Sequence, residues 1–162
     1  MEIVNVTLRR SIAVAALVLA PVLSSCGLHQ PTDRVYNPGV GVNERSGQVD
    51  VLGAVVVSGK DGSGTLSAAV VNNNQQQGDA LTQVAGSGQD ADVTATVSSP
   101  IQIKPGSSVQ LTDESTPIAV KGKSIKTGAF VTLTFSFQNA ESVSLDVPVV
   151  ANRGDYADVP LP

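Results

Sequence analysis

Alternating apolar and polar residues near the C-terminus predict a pair of β-strands. Between residues 130 and 138 every second side chain is apolar, and this set consists of Val131, Leu133, Phe135 and Phe137. The positions between them carry hydroxyl or amide groups, so one face of the strand is expected in the core and the other in solvent. The alternation resumes in residues 142–150 after a short turn. Pro148 in this second strand cannot donate a ladder hydrogen bond, which predicts an unpaired edge or a bulge there.

Short runs rich in Val and Thr fill the rest of the chain after residue 47, and clusters of turn residues separate them. They predict six further strands, at residues 48–58, 65–72, 80–85, 91–97, 109–111 and 118–120. No stretch has the period of an amphipathic helix. Short antiparallel strands around one apolar core favour an all-β domain, a β-sandwich with Greek-key connections.

The first 25 residues have the features of a signal peptide. An uncharged apolar run at residues 11–22 is too short to span about 30 Å of hydrocarbon as a stable helix. Leu23, Ser24, Ser25 and Cys26 follow, and this order resembles the bacterial lipobox. In that motif small residues admit the signal peptidase, and the thiol carries a diacylglyceryl group whose two acyl chains anchor stably. An ordinary secretory peptide with an incidental Cys is the alternative.

These features divide the chain into four segments. Residues 1–25 are the signal peptide, residues 26–46 the lipidated Cys26 and a flexible tether, residues 47–152 the β-sandwich, and residues 153–162 a C-terminal tail. The expected location is the outer face of the cell membrane. The domain is expected to be extracytoplasmic and to contact the membrane through the lipid on Cys26.

The charge balance narrows the range of partners. The chain has 10 basic and 14 acidic side chains, a net charge of −4, so we expect no binding to nucleic acid. The basic cluster of the chain consists of Lys121, Lys123 and Lys126. A solvated loop is the favoured interpretation of this cluster, and contact with anionic headgroups or wall polymer is the alternative.

Side chains for catalysis or metal binding are scarce. The single Cys and the single His are Cys26 and His29, and both precede the predicted domain. A Cys-His or Ser-His-Asp nucleophile therefore cannot form within that domain, and we expect no catalytic residue and no enzyme activity. One imidazole cannot fix a transition metal, so His29 is interpreted as a solvated tether residue.

The remaining candidates are carboxylates and one glycine-rich segment. The carboxylates that lie close together in sequence are Asp90 with Asp92, Asp113 with Glu114, and Asp155 with Asp158. Surface charge is the favoured interpretation because Ca²⁺ takes six or more oxygen ligands; a weak Ca²⁺ site or a general acid/base pair is the alternative. Residues 60–64 (KDGSG) lack the spacing of a phosphate loop and predict a hairpin turn.

Two segments resemble the PCu(A)C copper-chaperone family. Residues 128–149, with GAFVTLTF and AESVSLDVPV, are similar to the family's closing hairpin, and residues 103–111 (IKPGSSVQL) are similar to its Pro-Ala-Gly strand entry. The order of signal peptide, lipobox, tether and domain resembles in particular actinobacterial lipoproteins of the LpqE type, which are related to that family. The resemblance covers residues 48–150 and implies a cupredoxin-like or immunoglobulin-like sandwich.

The copper ligands that the resemblance implies are missing. Family members hold Cu(I) with His and Met, and their His-x-Met element corresponds to Pro117, Ile118 and Ala119, while the earlier ligands correspond to positions near residues 92–100. We therefore expect no metal site and no cofactor. The expected function is a non-catalytic binding module of the cell envelope, whose partner is an unknown envelope protein or wall component. The alternative is a copper-handling accessory protein with a non-standard or lost metal site.

The lipobox leads to a prediction about location. Replacing Cys26 by Ala removes the sulfur atom that would carry the diacylglyceryl group, so the variant is expected to leave the membrane fraction or to remain unprocessed. Detergent phase partitioning and the mass of the processed protein measure both effects, with Ser25→Ala as the matched control that keeps a small residue before the Cys. If the Cys26→Ala protein partitions and is processed like the parent, the lipoprotein interpretation is wrong.

Overall fold

The computed structural model describes residues 39–113 and 117–162, and this part of the chain is built from β-strands and two single 3₁₀ turns. The strands are β1 (Val42–Glu44), β2 (Val49–Lys60), β3 (Ser63–Asn72), β4 (Asp79–Gly86), β5 (Thr94–Thr96), β6 (Ile101–Ile103), β7 (Ser108–Gln110), β8 (Ala119–Lys121), β9 (Phe130–Phe137) and β10 (Val143–Ala151). The 3₁₀ turns are Gly88–Asp90 and Gly154–Tyr156. Within the described ranges no helix is long and apolar enough to cross a membrane.

The hydrogen-bonded strands form a path that closes on itself. Their order is β1-β2-β10-β9-β4-β5-β8-β3-β7, β6 pairs with β4, and β2 pairs additionally with β3. The pair of β2 with β10 is parallel, and the other pairs are antiparallel. This arrangement confirms the prediction of an all-β sandwich with non-sequential, Greek-key connections.

Burial along β9 and β10 confirms the alternation in the sequence. Val131, Leu133 and Phe135 are fully buried, and Phe137 is 8% exposed. The ladder between the two strands runs from Phe135 opposite Val143 to Phe130 opposite Pro148. The large side chains of the core are mostly aliphatic. The fully buried ones include Leu66, Leu81, Ile103, Leu111, Ile118, Ile125, Leu133 and Phe135.

Pro148 does not lie on an edge strand, because β10 has β9 on one side and β2 on the other. The amide of Val149 donates to the carbonyl of Ala129 beside β9, so the preceding nitrogen of Pro148 faces the β2 side. The ladder with β2 begins only at Val149, opposite Val56. The proline therefore stands where the β2 ladder has not yet started, and its missing donor leaves no gap in that ladder.

β1 lies within the segment predicted to be a tether. It pairs with β2 around a bulge in which Gly53 has a φ of 61°, and the side-chain oxygen of Asn43 accepts a hydrogen bond from the Gly53 amide at 2.7 Å. A Cβ on Gly41 would come within 2.5 Å of the Gly53 backbone, so the close approach of the two strands requires glycine. Three residues are too few to show alternation, which is why the sequence did not predict β1.

The compact unit of the described residues runs from Gly39 to Pro162. At the C-terminal end, the side chain of Asn152 donates to the carbonyls of Tyr156 and Val159, and the buried hydroxyl of Thr65 donates to the carbonyl of Pro160. Further small differences concern β6, which was not predicted, and the predicted strand at 91–97, of which only Thr94–Thr96 is a strand. Prolines at 100 and 105 interrupt the pattern around β6.

A buried carboxylate holds the turn between β9 and β10. Asp79 is 3% exposed, and its Oδ1 accepts hydrogen bonds from the amides of Ala80, Gln138 and Asn139 at 2.7, 3.1 and 3.0 Å. Its Oδ2 accepts a fourth, from the amide of Ala140 at 2.8 Å. One side chain at the start of β4 thus accepts hydrogen bonds from three amides of the turn. The Gln138 amide also donates to the carbonyl of Ala80 at 2.9 Å, so the carboxylate matters most for the amides of Asn139 and Ala140.

The opposite faces of β9 give a prediction about stability. Truncating the buried Phe135 to Ala leaves a cavity and is expected to lower the free energy of unfolding by about 3 to 5 kcal/mol. Thr134→Ala removes one hydroxyl that bonds to Ser144 on the outer face and is expected to cost less than about 1 kcal/mol. Denaturant unfolding measures both changes. A larger loss for Thr134→Ala would contradict the assigned facing.

Asp79 gives a second stability prediction. Asp79→Ala removes the carboxylate from four amide donors, of which the Gln138 amide keeps the carbonyl of Ala80, and is expected to cost on the order of 3 kcal/mol, although the side chain is small and polar. Asp79→Asn keeps one acceptor oxygen but turns an NH₂ group towards an amide donor, so its cost should lie between those of Ala and the parent. Urea unfolding is the measurement. Equal stability of Asp79→Ala and the parent would show that water replaces the carboxylate.

Candidate functional site

The predicted lipidation motif, which consists of Leu23, Ser24, Ser25 and Cys26, lies outside the described residues. His29 and Glu114 lie outside them as well. The candidate sites that can be located are therefore the segments that correspond to the copper ligands, the loop carboxylates, and the lysines near the turn between β2 and β3.

The two segments that the family resemblance assigns to copper ligands lie side by side. β5 and β8 are antiparallel neighbours, with Thr96 opposite Ala119 and Ala95 opposite Val120. The fold therefore brings residues 92–100 and 117–119 together. None of residues 39–162 is His, Met or Cys.

Apolar packing occupies this region. Val93, Ile118 and Val120 are at most 2% exposed and belong to the core. The backbone of Gly122 approaches Val93 so closely that a Cβ on the glycine would come within 2.5 Å of the valine side chain. Within residues 39–113 and 117–162, no three His, Cys, Asp or Glu side chains form a group that could hold a metal ion. The local chemistry is that of a packed core and offers no donor set suited to Cu(I).

Asp90 has a structural contact that its sequence position did not indicate. Its Oδ2 accepts a hydrogen bond from the amide of Thr132 in β9 at 2.9 Å. The Ser124 hydroxyl, and after it the Thr132 amide, hold the pKa of Asp90 below its usual value because they stabilise the ionised carboxylate. The side chain thereby connects the 3₁₀ turn at residues 88–90 with β9 and with the loop that follows β8.

The other sequence-predicted carboxylates do not converge. Asp92, Asp113, Asp155 and Asp158 are exposed and lie in separate parts of the described chain. They match the interpretation as surface charge, and their positions give no set of oxygens sufficient for Ca²⁺.

Residues 60–64 form the hairpin turn that the sequence predicted. Lys60 pairs with Ser63 across the turn, and Gly62 has a φ of 86°, a conformation that favours glycine. The amide of Gly62 donates to the carbonyl of Ile125 at 2.7 Å, and the amide of Gly122 donates to the carbonyl of Gly62 at 3.2 Å. The turn is therefore fastened to the loop that carries the lysine cluster.

The structure adds Lys60 to the cluster of Lys121, Lys123 and Lys126. Lys60 lies opposite Ser63 across the turn, and Ser63 in turn pairs with Lys121 on β8. Lys60 and Lys121 therefore border the same shallow cavity of about 440 Å³, together with the turn residues and Pro162. The pairing joins residues far apart in sequence, which is why the sequence showed only the three lysines of one loop. All four lysines are exposed.

A second cavity of about 220 Å³ adjoins the first and shares Lys60, Ser63 and Pro162 with it. Gly59 and Leu161 complete its lining. The two cavities form one groove at the end of the β2–β3 hairpin, called here the hairpin groove, which consists of Gly59, Lys60, Ser63, Thr65 and Lys121. The last residues of the chain lie against it.

The contacts of Asp90 predict a pH-dependent difference in stability. Because its pKa is lower in the folded than in the unfolded protein, the ionised carboxylate stabilises the fold above about pH 4, and this contribution is lost as the pH falls through the folded-state pKa. Asp90→Asn keeps the shape without the charge. The difference in unfolding free energy between parent and Asp90→Asn should therefore be largest near neutral pH and shrink towards about pH 3.

Unfolding titrations at a series of pH values measure this difference, and Asp92→Asn is the matched control for the loss of one exposed charge nearby. A difference for Asp90→Asn that stays constant from neutral to acidic pH would contradict the assigned role of the carboxylate.

Comparison with known proteins shows similarity in structure alone. No family model and no curated protein matches the sequence. Among solved structures, the copper-bound PCuAC domain from PmoF2 is 20% identical with a TM-score of 0.56, covering 68% of this chain and 98% of that domain. The apo PCuAC domain from PmoF1 is 17% identical with the same TM-score, over 68% of this chain and 99% of that domain. The described residues therefore have the fold of a PCuAC domain.

Proposed function

We propose that the protein is a copper-handling accessory protein of the cell envelope, held at the outer face of the membrane through a lipid on Cys26. In this proposal the domain acts by binding another protein and does not carry Cu(I) itself. The narrower relation to actinobacterial lipoproteins of the LpqE type belongs to the same proposal.

The observation that carries the proposal is the fold shared with PCuAC domains, one of which is described as copper-bound. The similarity extends over nearly the full length of those domains. It favours a role in copper handling over an envelope module unrelated to copper.

Ligand chemistry determines how the domain would act in such a role. Cu(I) prefers thioether, thiolate and imidazole donors, and residues 39–162 contain none of them. Carboxylates such as Asp90 and Asp92 are hard donors, and Asp90 is already engaged with Thr132. A domain of this composition is suited to contacting a copper-carrying protein and not to holding the ion. Without a His or Cys in the domain, we also propose that the protein is not an enzyme.

A second candidate is a binding module whose partner has no connection with copper. The side chains that favour it are the exposed lysines beside the β2–β3 turn and the exposed aromatic ring of Phe130, which is 64% accessible. Exposed aromatic and basic groups are typical of contact surfaces for proteins or anionic polymers. An envelope protein or a wall component is the partner in this case.

Gene deletion distinguishes the two candidates. Loss of a copper-handling accessory should lower the activity of copper-dependent membrane enzymes under copper limitation, and added copper should restore it. The parent gene should complement the defect, whereas Cys26→Ala should complement it poorly if anchoring matters. A defect that copper does not relieve, and that appears equally in copper-replete medium, would favour the second candidate.

Ligand counting gives a prediction about copper binding. The chain of residues 39–162 is expected to compete negligibly for Cu(I) against a colorimetric chelator, because it has no soft or imidazole donor. The full mature chain, with Cys26 blocked, is the control that adds His29 alone and should behave in the same way. Stoichiometric and tight uptake of Cu(I) by residues 39–162 would show that the donors are misassigned and that the domain carries the ion itself.

A further inference from the structure

The C-terminal segment, residues 157–162 (ADVPLP), lies on the hairpin groove without joining the sheet. Within the described chain, two side-chain hydrogen bonds hold its backbone, one from the Thr65 hydroxyl to the carbonyl of Pro160 and one from the Asn152 side chain to the carbonyl of Val159. Pro160 and Pro162 have no amide hydrogen, so the segment cannot extend a ladder. Most of its side chains are exposed, and Leu161 remains 43% accessible. A segment held in this way opens at low cost in free energy.

The surface beneath the segment is shaped for a leucine. A Cβ on Gly59 would overlap with Cδ1 of Leu161, and the next two nearest atoms also belong to Leu161. The absence of a side chain at Gly59 thus creates the space that the leucine fills. Thr65 beside it is 1% exposed with the segment in place, and its hydroxyl donates to the carbonyl of Pro160 in the segment.

The charges of the segment and the groove are complementary. Asp158 in the segment is negative, and Asp155 precedes it. Lys60 and Lys121 border the cavity that Pro162 also lines. Although the whole chain is acidic, the groove therefore presents cations to an acidic, extended peptide.

We propose that the hairpin groove is a docking site for an extended acidic segment of a partner protein in which a leucine stands between prolines, and that residues 157–162 occupy this site as a displaceable competitor. The groove recognises the leucine at Gly59, a carbonyl at Thr65 and negative charge at Lys60 and Lys121. A partner segment binds in the fraction of molecules in which the C-terminal segment has opened, so its apparent affinity is lowered by that fraction.

A labelled peptide with the sequence of residues 154–162 (GDYADVPLP) tests the site. The full chain ending at Ala157 is expected to bind this peptide in fluorescence anisotropy, and the unmodified full chain should bind it at least tenfold more weakly, because the intramolecular segment competes at high effective concentration. A peptide with the change Leu161→Ala is the matched control and should bind weakly to both.

Two groove variants, made in the shortened chain, test the assigned contacts. Gly59→Ala should lower peptide affinity several-fold, because the added methyl group would overlap with the leucine side chain, and binding of the control peptide without the leucine should not be affected. Lys60→Glu combined with Lys121→Glu should lower affinity and reduce its dependence on salt. Circular dichroism confirms that each variant retains its strands.

Three results would overturn the proposal. They are a folded shortened chain that does not bind the peptide at millimolar concentration, equal binding by the shortened and the full chain, and a concentration-dependent dimer of the full chain that exchanges its C-terminal segment between copies. The inference does not depend on the proposed role in copper handling. Peptide binding is measured without copper, so either conclusion can fail while the other stands.

Discussion

The closed path of strands depends on β2. Along one edge β2 pairs with β3, and along the other it pairs first with β1 and then, after the bulge at Gly53, with β10. Without the parallel pair of β2 with β10, the path from β10 to β3 would have two open ends. Because the chain has only five aromatic residues, small aliphatic side chains fill most of the core, and closure of the path is what lets them exclude water.

The elements that the sequence predicted best are those whose signal is local. β9 and β10 alternate over eight or nine residues, and each buries the predicted face, because a strand with one buried side requires that period. β1 and β6 have three residues each, too few to show alternation. β1 pairs with the next strand, β2, around the bulge at Gly53, whereas β6 pairs with β4 and not with its neighbours in sequence, so propensity could indicate neither strand.

In the candidate site, too, features with a local signal could be predicted from the sequence, and contacts between remote segments could not. The turn at residues 60–64 was predicted from its residues alone, since glycine at a positive φ is a local requirement. The joining of Lys60 with Lys121, and the bond of Asp90 to Thr132, depend on strand pairing between remote segments. The C-terminal segment was expected to be a tail, and its position follows from a gap at Gly59 that only the folded hairpin creates.

The parallel pair also constrains when the fold can be completed. Val56 stands opposite Val149, so β2 receives its second long partner only from β10. A polypeptide made from its N-terminus contains β1 to β4 long before β10 is available, and during that time the edge of β2 beyond Gly53 lacks this partner. The pairing that closes the sheet therefore joins segments far apart in sequence, and the entropy of closing the long intervening loop must be offset before the contact stabilises the fold.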